Sequence, residues 1–232
     1  RDSAALSAIT AVPPLKQHDN LYAQSRRLVD AFRFDADVAT VFEDMIRRSV
    51  PGYPLMLDML GVLTANTIQA PALCYDLGCS LGASTLAIRQ NLSQAGNKII
   101  AIDNSEAMIE RCKQLIHHDS GTTPVEVLCQ DVLSTEFETC QLVSMNLTLQ
   151  FIELSQRLPL LTRIADALEE GGALFLSEKI CFDDAEEQQK LTDLHHQFKK
   201  HQGYSDLEIA QKRSAIENVL IPETLHDHEQ RL

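Results

Sequence analysis

The chain is poor in positive charge, and it has no cysteine pair at metal or redox spacing, no long apolar run and no internal repeat. Its 20 Lys and Arg face 33 Asp and Glu, a formal net charge of −13 that works against wrapping a polyphosphate backbone, so direct nucleic-acid binding is not expected. No stretch of eighteen apolar residues occurs and the first residues lack the basic-then-apolar order of a secretory leader, which argues against a membrane partner and for a cytoplasmic protein. The cysteines at 74, 79, 112, 129, 140 and 181 form no C-x-x-C and stand mostly in apolar or strand-like surroundings, as reduced core thiols do. Metal ligation is not expected either. His117-His118 and His195-His196 are adjacent pairs whose rings diverge on a helix, and His226 and His228 lack a third ligand at suitable spacing.

With 232 residues and 44% hydrophobic content, the chain can form one substantial core. Residues 1–24 are polar and interrupted by Pro13-Pro14, which predicts a flexible lead before a single α/β domain over 25–232. Helical cap segments are expected over about 35–68 and 182–232. In the first, Asp35 or Asp37 caps a helix carrying Val38, Val41, Phe42, Met45 and Ile46, which Pro51-Gly52 ends. A second helix runs from Tyr53 to about Thr67 with Leu55, Leu57, Met59 and Leu60 expected on its buried side. Strands are predicted at Leu73–Leu77, Lys98–Asp103, Pro124–Cys129, Leu142–Leu147 and Ala173–Ser177, alternating with helices at Ser84–Asn91, Ser105–His117 and Leu154–Leu168. This alternation argues for a doubly wound, mostly parallel sheet with right-handed crossovers. Glu169-Glu170-Gly171-Gly172 is expected to form a tight turn before the fifth strand, and the chain after Phe182 to be helical and charged. It starts without methionine and stops inside a helical pattern, so both ends are expected to be incomplete.

The most informative stretch is Asp76-Leu77-Gly78-Cys79-Ser80-Leu81-Gly82, a glycine turn between a strand and a helix. An acid ahead of the first glycine suits a ligand with an ammonium group better than a pyrophosphate, which points to S-adenosylmethionine. In a doubly wound sheet such a ligand lies at the carboxyl ends of the strands. Gly78 follows the first strand there. Asp103 ends the second, 25 residues on, at the distance where a carboxylate accepts ribose hydroxyls, although Asp at a strand end is also a common helix cap. Asp131-Val132 follows the third strand, where acid and apolar neighbour suit an adenine, with a plain turn role open. Asn146 ends the fourth and would border the reactive sulfonium, with a plain loop-start role equally open. No Asn-Pro-Pro-aromatic tetrapeptide is present, which weakens transfer to a base or amide nitrogen.

Together these residues resemble the class I S-adenosylmethionine-dependent methyltransferase superfamily across residues 70–180. A complete sheet of that superfamily has seven strands, so the final pair is expected to be absent from this chain. Arg48-Ser49-Val50-Pro51-Gly52-Tyr53, Tyr75-Asp76-Leu77-Gly78-Cys79-Ser80-Leu81-Gly82, Ile102-Asp103-Asn104-Ser105 and Gln211-Lys212-Arg213-Ser214 are similar, more narrowly, to the carboxy-S-adenosylmethionine synthase family. Ser80 stands where the common loop has its second glycine, and that family has the same Gly-Cys-Ser. The resemblance implies that Tyr53, Gly78, Cys79, Ser80, Asp103, Asn104, Asp131, Val132, Asn146 and Arg213 bind the ligand. It implies conversion of S-adenosylmethionine and prephenate to carboxy-S-adenosylmethionine, phenylpyruvate and water, the product serving a separate enzyme that carboxymethylates a tRNA wobble uridine. It further implies a homodimer. Prephenate's departing hydroxyl would remove the methyl proton, so no strongly basic side chain is needed, and Arg213 would pair with the new carboxylate as the catalytic residue. Read locally, Gln211-Lys212-Arg213 is a solvated helix face; Arg47, Arg48 and Lys199 could help bind the dianionic prephenate, but ordinary surface salt bridges explain them more simply, and no site role is assigned to them. A small-molecule methyltransferase and a non-catalytic adenosyl-ligand-binding regulator share the cofactor constellation. Gly-Cys-Ser and Arg213 favour the synthase.

Overall fold

Local chemistry sets the first two helices. Asp35 accepts a hydrogen bond from the Val38 amide and opens α1 (Ala36–Ser49), and Gly52, at φ +74°, opens α2 (Tyr53–Thr67) with Pro54 in its first turn. The computed structural model describes residues 17–25, 28–69, 71–92 and 94–232. Beyond α2 the order is β1 (Leu73–Leu77), α3 (Ala83–Gln90), β2 (Lys98–Asp103), α4 (Glu106–His118), β3 (Val125–Cys129) and β4 (Cys140–Asn146). Then come α5 (Leu154–Ala167), β5 (Leu168–Ser177), β6 (Ile180–Cys181), α6 (Ala185–His201), α7 (Asp206–Ile216), β7 (Glu223–Thr224) and α8 (Leu225–Arg231). Short 3-10 turns at Val132–Ser134 and Leu149–Phe151 flank β4.

Five parallel strands form the main sheet in the order β3-β2-β1-β4-β5, so strand order reverses between β1 and β4. Alternating side chains sort to the two faces. Tyr75, Leu77, Ile100, Ile102, Val143 and Met145 pack with Leu160, Leu161 and Ile164 of α5, while Cys74, Ile99 and Leu142 pack with Leu60 of α2 and Ile88 of α3. Each such side chain taken fully out of water contributes roughly 1.5–3 kcal/mol. Gly61 lets α2 settle on α3, since a Cβ there would lie 2.6 Å from Asn91 Nδ2. No helix among the described residues is long and apolar enough to cross a membrane.

Several expectations need correction. On α2 only Leu60 of the four apolar residues expected inside is buried; Leu57 is half-buried, and Leu55 and Met59 are 64% and 46% exposed. The buried stripe follows the helical period through Tyr53, Leu60, Gly61 and Thr64, and the helix is apolar all round, so hydrophobicity did not mark a side. Glu169–Gly172 is not a turn but part of β5: the register runs from Cys140 opposite Leu168 to Leu142 opposite Ala173, a bulge that absorbs the extra residues. Cys129 is exposed rather than in the core. The region after Phe182 contains strand as well as helix, because β6 and β7 pair in parallel. Residues 1–16 of the expected flexible lead lie outside the described residues. Residues 17–24 are docked on the domain: Asp19 and Tyr22 are buried, the Asp19 amide donates to Asp44 Oδ2 at 2.8 Å, and the Tyr204 hydroxyl donates to Asp19 Oδ2 at 2.5 Å.

Candidate active site

The parallel sheet brings the carboxyl ends of β1, β2, β3 and β4 to one edge, with Gly78, Asp103, Asp131 and Asn146 at or just past them. Gly78 adopts φ +74°, and a Cβ there would meet Thr148 Oγ1 at 2.3 Å and Cγ2 at 2.5 Å. Only glycine fits between this loop and the one after β4. The Gly78 and Cys79 amides both donate to Ile102 O, at 2.8 and 2.9 Å. Ser80, at φ +48°, holds the left-handed conformation in which a glycine would be unstrained, and its amide donates to Asp103 Oδ2 at 2.9 Å. The other Asp103 oxygen accepts from the Ser105 amide, and burial raises this carboxyl's pKa against those bonds. Each oxygen keeps a lone pair for a further donor. Asn104 beside it is exposed.

Asp76, one residue before the end of β1, is 1% exposed. Thr85 Oγ1 donates to it at 2.5 Å, yet burial pushes its carboxyl up to about 7, with Asp103 adding to the rise. A carboxylate short of charge compensation gains from a neighbouring cation. In register beside it on β4, Ser144 Oγ is buried with no hydrogen-bond partner. Tyr53 opens α2 close enough to Asp76 to feel its charge; burial first, then Asp76 and Glu43, raise its phenol. A buried acid beside an unpartnered buried hydroxyl fits a ligand with an ammonium group.

Asn146 is held on both sides, its Nδ2 donating to Ser84 Oγ at 3.2 Å and its Oδ1 accepting from Ser177 Oγ at 2.5 Å. Asp131 is exposed and caps its own 3-10 turn by accepting from the Leu133 amide at 2.9 Å, while Val132 is buried. The plain turn role left open for Asp131 is therefore present, and its second oxygen stays available. Cys79 is buried against Cys112, and the hydrogen bond to that thiol, with burial, pushes its own thiol well up, so it is a packed wall rather than a nucleophile. Arg213 is exposed on α7, close enough to Lys179 and His196 to lower both.

Sequence reasoning missed Thr148 and Glu178. Glu178, just past β5, accepts from the amides of Thr148, Leu149 and Gln150 at 3.2, 2.8 and 3.0 Å, and Thr148 Oγ1 donates to Leu77 O at 2.9 Å. The acid thus fixes the loop that fills the Gly78 notch. Only an acid directly after a strand could have hinted at this. A surface pocket of about 410 Å³ between Leu133, Phe137, Arg163 and Asp166 lies elsewhere, and Arg163 there is committed to the carbonyls of Leu133 and Thr135.

A family model described as "Methyltransferase domain" matches residues 74–172. Among solved structures, the plantazolicin methyltransferase BpumL in complex with SAH superposes with a TM-score of 0.58 at 17% identity, covering 82% of this chain and 66% of that one. The YcgJ protein from Bacillus subtilis gives 0.55 at 13%, covering 74% and 64%. At such identities the likeness concerns the fold alone. The sequence relatives are nearer. Carboxy-S-adenosyl-L-methionine synthase of Hahella chejuensis is 56% identical over 92% of this chain and 88% of its own length, and that of Marinobacter nauticus 54% over 95% and 88%. The same-named protein of Stutzerimonas stutzeri is 55% identical over 92% and 88%. Identity at this level over 92–95% of the chain shows that it belongs to the carboxy-S-adenosyl-L-methionine synthase family.

Proposed function

We propose that the protein converts S-adenosylmethionine and prephenate to carboxy-S-adenosylmethionine, phenylpyruvate and water. The observation that carries this reading beyond methyl transfer is Arg213, whose exposed guanidinium has no carboxylate partner among the described residues. In the reaction, prephenate aromatises as it loses its ring carboxylate as carbon dioxide and its hydroxyl as hydroxide. The hydroxide takes a proton from the sulfonium methyl, giving water, and that carbon forms a bond to the carbon dioxide. Arg213 presents a planar, two-pronged donor to the resulting carboxylate.

Asp76 would face the ammonium group, Asp103 the ribose hydroxyls, and Asp131 with Val132 the adenine. Tyr53, Cys79, Ser80, Asn104 and Asn146 complete the wall, with Gly78 allowing backbone to approach the ligand. Tight enclosure favours the chemistry, since water would quench the deprotonated carbon and free carbon dioxide would escape. The product would serve a separate enzyme that carboxymethylates a tRNA wobble uridine, in the cytoplasm and without nucleic-acid contact by this chain, in keeping with its charge of −13. The exposed apolar face of α2, with Leu55, Met59, Val62 and Leu63, supports a homodimer.

The test is mass spectrometry of the nucleotide after incubation with S-adenosylmethionine, with and without prephenate. A species bearing one carboxylate in place of hydrogen, formed only with prephenate and lost in Arg213→Ala, is expected. S-adenosylhomocysteine alone would return the protein to methyl transfer, and full activity in Arg213→Ala would remove that residue's role.

A further inference from the structure

Three cationic side chains from separate elements lie close enough to feel a neighbour's charge: Lys179 after β5, Lys199 on α6 and Arg213 on α7. Each acts on a neighbour. Burial and then Lys179 bring the Lys199 ammonium down to about 8; burial and then Arg213 lower Lys179; and His196 is lowered by burial, Lys199 and Arg213. Lys212 and His195 stand behind them, brought by burial to about 7 and about 4. None of Lys179, Lys199 and Arg213 forms an ion pair among the described residues, in a chain with 33 acidic residues available. Glu178, next in sequence to Lys179, is committed to three backbone amides.

The cluster is stitched to the cofactor wall. His195 Nε2 donates to Ser49 O at 2.7 Å and Lys212 Nζ donates to Ser49 Oγ at 3.0 Å, four residues before Tyr53. The Lys179 amide donates to Gln150 Oε1 at 3.1 Å, on the loop that Glu178 holds against Gly78. His195 and Lys199 are four residues apart on α6 and share a face. Uncompensated positive charge at this position does not suit S-adenosylmethionine, whose sulfonium and ammonium are themselves cationic. It suits the other substrate, a dianion.

We propose that Lys179 and Lys199 together seat the carboxylate that the dianionic substrate keeps, the one on its 2-oxo acid side chain, while Arg213 seats the one it gives up. The inference rests on the proposed reaction and divides its two carboxylates between two sites. The kept group stays a monoanion throughout and needs only a fixed pair of charges, which lysines provide. The transferred group changes from planar carboxylate to linear carbon dioxide and back, and is met by the planar guanidinium.

The experiment is steady-state kinetics of the full chain with prephenate, comparing Lys199→Met, Lys179→Met and Lys199→Arg with the unsubstituted protein, alongside S-adenosylmethionine binding by calorimetry and inhibition by phenylpyruvate. Loss of either ammonium is expected to raise the KM for prephenate about 10- to 100-fold with kcat changed less than about threefold. Phenylpyruvate inhibition should weaken in parallel, S-adenosylmethionine affinity should stay within about twofold, and Lys199→Arg should recover most of the loss. Lys179 lies just past β5 and outside any helix, so Lys179→Met keeps the test open if Lys199→Met does not fold. Unchanged KM in a folded variant overturns the assignment while the reaction stands. Weakened S-adenosylmethionine binding in step with KM would also overturn it, giving the cluster to the wall instead. An unsubstituted protein that forms no carboxylated nucleotide overturns the reaction and the assignment together.

Discussion

Gly78→Ala tests the site's steric design. Gly78 sits at φ +74°, where an L side chain costs roughly 1–3 kcal/mol. The new Cβ would also lie 2.3 Å from Thr148 Oγ1, forcing that side chain away and breaking its 2.9 Å bond to Leu77 O. Loss of that bond adds about 1 kcal/mol, for a total of about 2–4 kcal/mol. For a domain of this size each kcal/mol moves the melting temperature by roughly 2–4 °C, so a fall of about 4–16 °C is expected by calorimetric scanning. Thr148→Ala in the same chain removes Oγ1 and Cγ2 and leaves only the Cβ, 3.0 Å away. The double variant should therefore melt above the sum of the two single losses, recovering the clash but not the backbone strain, with a coupling of about 0.5–3 kcal/mol. A Gly78→Ala protein melting within about 1 °C of the original would refute the reasoning, as would strict additivity in the double variant.

Stability of the ligand-free protein should depend on Asp76 in a direction opposite to that of a salt-bridged acid. Its folded pKa is raised from 3.8 to about 7, so its contribution is fully present at low pH and is lost as pH rises through about 7, by at most about 4 kcal/mol. Asp76→Asn should flatten that slope in urea titrations at pH 5 and 8, and S-adenosylmethionine should protect the original protein more at pH 8. Glu178→Gln turns an amide donor toward the Gln150 N–H and should cost about 1–3 kcal/mol at pH 8. The cost should shrink at pH 5.5, where the native carboxyl, lifted to about 7 by burial, already carries a proton. Arg157→Leu removes a fully buried guanidinium from Glu223 and from three backbone carbonyls, and a loss of about 3–5 kcal/mol is expected in chemical denaturation.

The parts of the fold that were legible in sequence are those fixed by local pattern. Leu73–Leu77 and Lys98–Asp103 are alternating or fully apolar runs closed by Asp or Gly, and the observed strands have the same bounds. The Tyr53 start of α2 was set by Pro51-Gly52. The buried side of α2 was not legible, because Leu55, Met59, Val62 and Leu63 make it apolar all round, and only packing on α3 selects a side. In the site, Gly78 and Asp103 could be read from the turn and the spacing. Thr148, which fills the notch, and Glu178, which holds Thr148, join elements that are 70 and 30 residues apart in the chain, and no periodicity reports such a meeting. The same holds for Lys199, read as a surface charge until α6 folds back beside Lys179.

Arg157 links more than two side chains. Its guanidinium donates to the carbonyls of Ile152, Gln150 and Ile221, and the Ile221 amide returns a bond to Gln150 O at 2.9 Å. The arm from α7 to α8 and the loop under Gly78 are therefore expected to open as one cooperative unit, with their amides exchanging hydrogen at a shared rate. A nick or a destabilising change near Glu223, far along the chain from the glycine turn, would then be felt as looser grip on the nucleotide.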